Sequence, residues 1–278
     1  MLPTMFWRQS SANHCCLCGR SGAKLTGEHK IKASALKKQF GKADLLVGVS
    51  GSSEKMKAAQ STNSKHLKFR ASLCEDCNSS RTQEPDREFD RFNELALSKV
   101  SSNEDPASTF VLPQYDEGSD AYLNVFRYFA KLLCCHVAAV DGPTPVAIAK
   151  FAIGESALNR IWLELKRDPF YNELIQHIGE NGYAAHGGLV VYADKETHTP
   201  NAFHSTLTIG ALQYVFHTRL SDLEKSELLA GHSRFCDWCR VEVGSAKDSS
   251  IPEGTCERLG LKASGTGDAA TQEDHGKA

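Results

Sequence analysis

Three cysteine pairs stand at Cys-x-x-Cys spacing, Cys15/Cys18, Cys74/Cys77 and Cys236/Cys239, in a chain of 278 residues with ten cysteines. Two such pairs supply four thiolates, the usual closed tetrahedral set for structural zinc. The alternative is a group of unligated buried thiols, which pack as small apolar side chains. Cys16 adds a thiol beside the first pair and could replace a neighbour as ligand. Between the first two pairs lies Glu28-His29, and Asn78 follows Cys77 directly. A neutral histidine can take a proton from water, while Glu and Asn oxygens suit a hard divalent ion. Such an ion stabilises the charge that develops when a phosphodiester is attacked. A surface carboxylate beside a surface imidazole is the plainer reading of the same dipeptide. Asn78-Ser79-Ser80 has the residue types of a helix start, where backbone N–H groups attract phosphate.

The third pair, Cys236-Asp237-Trp238-Cys239, has no fourth-ligand pair to complete a site. Three readings stay open for it: plain structural cysteines, a zinc site with His232 and His217 or His204, or a redox dithiol. Cys134-Cys135 and His136 fall in an apolar helical run and read as core.

The elements that must position these groups follow from periodicity. Residues 33–40 suit one or two helical turns. Residues 41–66, rich in Gly, Ser, Lys and Ala, read as a long mobile loop. Phe89, Phe92, Leu95, Ala96 and Val100 recur at helical spacing, which predicts an amphipathic helix over 84–99. Residues 101–119 carry Ser, Asn, Asp, Pro and Gly and mark a domain boundary. A second helix is predicted over 121–140, with Val125, Phe126, Phe129, Leu132, Leu133 and Val137 on one face. Further helices are expected at about 155–166 and 168–179, and a buried strand over 187–193. Strand pattern returns over 203–219, with a slip of phase beside Gly210. Beyond about 243 the chain has almost no apolar content and reads as disordered.

The order of the motifs resembles the zinc-stapled HNH endonucleases. The run Cys15-Cys16-Leu17-Cys18-Gly19, then Gly27-Glu28-His29-Lys30-Ile31, then Leu73-Cys74-Glu75-Asp76-Cys77-Asn78 carries the resemblance, which covers roughly residues 13–95. It implies a ββα-metal unit in which His29 is the general base and Glu28 and Asn78 hold a catalytic Mg²⁺ or Mn²⁺. Cys15, Cys18, Cys74 and Cys77 would bind a structural Zn²⁺. Arg81 is a candidate for the scissile phosphate or the leaving oxygen through its fork of donors, or a solvent-facing helix residue. The chain departs from the family where the middle Asn, which orients the loop carrying the base, would lie: it has Leu67-Lys68-Phe69-Arg70-Ala71 there, with Asn63 and His66 at the wrong spacings. The Pro that usually follows the acidic-His pair is replaced by Lys30-Ile31-Lys32.

Charge is distributed unevenly. Residues 1–73 hold 13 Lys and Arg against 3 Asp and Glu, although the whole chain has a net charge of −2. A basic end meets a polyanion, or is simply a solvated surface. Lys30, Lys32, Lys37, Lys38, Lys68 and Arg70 are the candidate phosphate contacts, whose binding would be salt-sensitive and largely independent of sequence. At 41% hydrophobic and 24% charged the chain is no fibre or wholly disordered polymer. No stretch approaches the ~18 apolar residues of a membrane span, and residues 1–10 lack a secretory signal, so a cytoplasmic address is expected.

These readings converge on an α+β protein: a zinc-stabilised ββα-metal HNH domain over 1–103, an α+β domain of unrecognised fold over 104–242, and a disordered tail over 243–278. The expected activity is metal-dependent endonuclease cleavage of DNA, or of RNA. The alternative is a zinc-stabilised nucleic-acid-binding module without activity. The second domain would be regulatory or bind a protein partner.

Overall fold

The computed structural model describes residues 6–41, 45–47, 57–59, 61–62, 64–169, 171–172 and 182–245. Strands and helices alternate as α+β. The chain enters through β1 (Trp7–Arg8) and β2 (Leu25–His29), then α1 (Ala33–Phe40). A short ladder of β3 (Leu45–Val47) with β4 (Lys57–Ala59) follows, so the expected loop over 41–66 contains paired strands. Next come β5 (Lys68–Cys74), a wide π-helical turn over Asp76–Arg81, and α2 (Gln83–Ser101). Beyond them lie α3 (Asp120–Ala139), β6 (Thr144–Pro145) and α4 (Val146–Ala152).

The second half is dominated by one antiparallel sheet. It contains β7 (Trp162–Arg167), β8 (Ala184–His186), β9 (Val190–Ala193), β10 (Pro200–Ile209) and β11 (Leu212–Arg219). Its order is β7-β11-β10, with β8 and β9 both pairing on β10. The final described helices are α5 (Asp222–Gly231), opened by a Ser221/Glu224 capping box, and α6 (Ser233–Ser245).

Sequence periodicity accounts for the two long helices. In α2, Phe89, Phe92, Ala96 and Val100 are buried, and in α3 the same holds from Val125 to Val137. The buried stripes meet each other and the inner face of the sheet. Phe89 stacks on Tyr128 with centroids 3.9 Å apart, and Phe129 lies 5.2 Å from both Tyr214 and Phe216. Polar tips buried with these rings are satisfied: Tyr214 Oη donates to Asn93 Oδ1 at 3.0 Å and Tyr115 Oη to Glu88 at 2.9 Å. The slip beside Gly210 is a two-residue hairpin turn, in which Gly210 takes a φ of +58° that costs other residues strain.

Three expected elements differ. The helix over 155–166 is instead a strand at Trp162–Arg167, whose Leu163 and Leu165 alternate with Trp162, Glu164 and Lys166 at period two. The buried strand expected over 187–193 is shorter and half-exposed: only Val190–Ala193 is strand, with Val190 and Tyr192 open to solvent. Helix α6 runs to Ser245, past the expected end of structure at 243, while residues 246–278 lie outside the described residues. Most of the helix expected over 168–179 also lies outside them.

The buried apolar side chains form one cluster that crosses residue 103 without a break, from Trp7, Leu36 and Phe69 to Phe203 and Cys239. Residues 106–115 pack beneath α2, with Phe110 4.6 Å and Tyr115 5.1 Å from Phe92. At the N-terminus β1 pairs with β6, and Trp7 Nε1 donates to the Glu224 carbonyl at 2.8 Å.

His136 sits inside this cluster as a satisfied core residue. Its Nε2 is 3.0 Å from Ser205 Oγ and its ring meets the edge of Phe69 at 4.7 Å. Burial, then the cations of His186 and Lys30, push its pKa down to about 3. The unfolded chain therefore binds a proton below about pH 6.5 that the folded one refuses, so stability falls as pH drops from 6.5 toward 3. We expect His136→Gln to remove about one proton, or ~1.4 kcal/mol per pH unit, from that slope in urea unfolding between pH 6.5 and 5.

Candidate metal centre and the histidine beside it

Strands β2 and β5 pair antiparallel, with Leu25 opposite Cys74, Gly27 opposite Ser72 and His29 opposite Lys68. The register shifts between Gly27 and His29: Glu28 alone on β2 lies opposite Phe69, Arg70 and Ala71 on β5, so β5 bulges across from Glu28. The first knuckle closes upon itself through Cys15 N to Arg20 O (3.0 Å) and Gly19 N to Cys15 O (2.9 Å). Gly19 is required there: its φ is +74°, and a Cβ would meet Arg8 Nε at 2.7 Å.

This folding brings Cys15, Cys18, Cys74 and Cys77 together with their ligand atoms all within 4.8 Å of one another. The Cys18–Cys74 Sγ separation is 3.7 Å. A tetrahedron of Zn–S bonds near 2.3 Å has sulfurs about 3.8 Å apart, so the four thiols fit a metal ion such as zinc. Hydrogen bonds draw the Cys15 thiol down to about 4, chiefly that from Cys77, whose own thiol is driven up in turn. Cys16 takes no part. Its Sγ points to Cys135 Sγ, 3.9 Å away in the core.

His29 ends β2 half-buried, with Nε2 3.1 Å from the Thr62 carbonyl oxygen. A carbonyl only accepts, so Nε2 carries the proton and Nδ1 the lone pair. Burial, then the Lys68 ammonium, hold its pKa below the ordinary histidine range. Thr62 thus orients the imidazole itself, whereas the middle Asn of the resemblance, missing here, orients the loop that carries the base. No residue-type signal could have found it, because the group is backbone.

The other expected catalytic groups are engaged elsewhere. Glu28 Oε1 lies 2.9 Å from the ammonium of Lys131 on α3, which also reaches Asp86 Oδ1 at 2.6 Å. Lys131 is 1% exposed at its side chain, and burial pushes the Glu28 carboxyl up. Asn78 Nδ2 donates to Thr26 Oγ1 at 2.9 Å. The Glu28 carboxylate is therefore paired with an ammonium rather than open to an ion, and the strand holds Asn78 through Nδ2, not through Oδ1, the atom that would ligate. Among the described residues, Cys15, Cys18, Cys74 and Cys77 are the group of three or more such side chains placed to hold a metal. Arg81 pairs with Glu155 at 2.7 Å rather than projecting freely. Lys131 was missed because a lysine within the apolar run Phe129–Val137 reads as an edge position of the helix.

The candidate phosphate contacts divide likewise. Lys32 pairs with Asp90 at 2.6 Å, Lys38 with Glu94 at 2.9 Å, and Arg70 lies 3.9 Å from Asp141. Lys37 is exposed, Lys30 is half-buried, and Lys68 faces His29 across the ladder with its stem over Gly27. Cys236 and Cys239 are buried on α6, and Cys236 Sγ lies 3.6 Å from the Leu228 carbonyl. His232 Nδ1 is 3.1 Å from Gln9 Oε1, so no zinc site forms around that pair among the described residues.

Fold and site define the class: an α+β protein carrying a four-cysteine cluster that fits a metal ion such as zinc, with no helix among the described residues long and apolar enough to cross a membrane. No family model, curated protein or solved structure matches the chain.

Two outcomes check this geometry. Cys74→Ser should be isolated without bound zinc, by metal analysis, and should melt lower by about 10 °C or more. Lys131→Met leaves the partly buried Glu28 and Asp86 carboxylates without their shared ammonium and should lose about 3 kcal/mol in urea unfolding, part of it restored by adding Glu28→Gln.

Proposed function

We propose that the chain is an HNH-type endonuclease acting on DNA phosphodiesters, with His29 as its general base. The observation that carries this reading is the His29 Nε2 contact to the Thr62 carbonyl, which leaves Nδ1 as the proton acceptor at the end of β2. In this reading Nδ1 takes the proton of a water as its oxygen attacks phosphorus. The P–O3′ bond breaks, leaving a 5′-phosphate and a 3′-oxygen that is protonated from solvent. Lys68 opposite His29 and Lys30 beside it supply fixed positive charge near the phosphate. The zinc cluster is structural: it clamps the two knuckles so that β2, β5 and α2 keep their order. A divalent ion, where one binds, would stabilise the charge that develops on the phosphate, and Glu28 and Asn78 Oδ1 would hold it once Glu28 leaves the Lys131 ammonium.

A second reading, a zinc-stabilised nucleic-acid-binding module without cleavage, is favoured by the Lys131 ammonium that holds Glu28. The two separate on a gel. With supercoiled plasmid and Mg²⁺ or Mn²⁺, the nuclease reading expects nicking that chelator stops and that His29→Ala reduces by about 10²–10⁴-fold while leaving binding intact. Salt-sensitive retardation by both proteins, with cutting by neither, would establish the binding module instead.

A further inference from the structure

The large sheet has two faces, and only one is covered by α2 and α3. On the other, four π-bearing side chains cross four strands in a row: Tyr192 on β9, His204 on β10, His217 on β11 and Trp162 on β7. His204, His217 and Trp162 are direct cross-strand partners. Tyr192 stacks on His204 at 4.7 Å and 23°, and Trp162 on His217 at 5.6 Å and 10°. Tyr192 and Trp162 are nonetheless 57% and 49% exposed, so each ring is backed by an imidazole and open to solvent. The Arg219 guanidinium sits 5.9 Å from the Trp162 ring centre. A cleft of about 460 Å³ lies on this face, lined by His204, His217, Tyr192, Arg219, Asn201 and Glu164 among others. The buried Nδ1 of His204 has no hydrogen-bond partner among the described residues.

We infer that this sheet face binds single-stranded nucleic acid, with bases stacked on Trp162 and Tyr192 and a phosphate held by Arg219. The composition selects the occupant. An apolar protein partner would need bulky aliphatic contacts, and this face offers chiefly Val190 and Val215. A duplex has no free base faces to offer to an aromatic ring, whereas every unpaired base has one. The rings lie three strand spacings apart, about 14 Å, a span over which four-stranded sheets elsewhere seat two or three bases. The charge fits as well. Glu164 is met by Lys166 at 3.6 Å, while Arg219 has no carboxylate partner among the described residues. The inference stands on the sheet and does not require His29 to cut.

The test is fluorescence anisotropy of a labelled thymidine oligomer of about twelve nucleotides with the full zinc-loaded chain, in chelator-free buffer without Mg²⁺. We expect binding that Trp162→Ala and Tyr192→Ala each weaken by about 5- to 150-fold, that Trp162→Phe retains, and that His29→Ala leaves unchanged. Absence of binding, or equal affinity in the Trp162→Ala/Tyr192→Ala double variant, overturns it. So does equal competition by a blunt duplex or by polyphosphate of matched charge, because only charge would then be read. Self-association of the wild type that Trp162→Ala abolishes would assign the face to a second copy and overturn it too.

Discussion

An ammonium group inside an apolar core must be met by opposite charge, and Lys131 meets its requirement with residues from two other elements. Glu28 comes from β2, opposite the bulge of β5, and Asp86 from the first turn of α2. Lys32 approaches the same cluster, bonding the Asp86 carbonyl and the Asp90 carboxylate. These charges link α3 to the four-cysteine unit at its centre, where the desolvation of each group makes any missing partner expensive. The bulge that seats Glu28 in this network also sets where the next residue, His29, leaves the strand. One electrostatic constraint therefore reaches from the core to the candidate base.

The four-cysteine cluster solves a different problem. Residues 9–30 and 61–82 contain few large apolar side chains, and the loop between the knuckles is long. A metal held by both knuckles would fix the ladder between them. The charge asymmetry of the chain is used in part within the molecule. Lys24, Lys32, Lys38 and Arg70 meet Glu75, Asp90, Glu94 and Asp141. Exposed pairs of this kind contribute little stability, but they remove several lysines from the surface that would otherwise face a polyanion. Lys30 and Lys68 remain beside His29.

Much of the architecture was legible because it is written in local repeats. Helical spacing located α2 and α3, and the Gly210 slip located the β10–β11 turn, since each depends on residues a few positions apart. The strand at 162–167 was not legible: six residues of mixed polarity satisfy a helical or a strand pattern until β11 lies beside them. The same held for β3 and β4, whose short segments sit in a run dominated by Gly, Ser and Lys.

For the site, two Cys-x-x-Cys pairs were enough to name the four thiols, because ligand type and spacing carry the chemistry of zinc by themselves. His29 was equally readable as a candidate base. The carbonyl of Thr62, the ammonium of Lys131 and the row of rings from Tyr192 to Trp162 were decided by tertiary structure alone. A backbone oxygen has no residue signature, a buried charge declares itself only through partners 45 and 103 residues distant in the chain, and a stacking face exists only once strands far apart in sequence are set side by side.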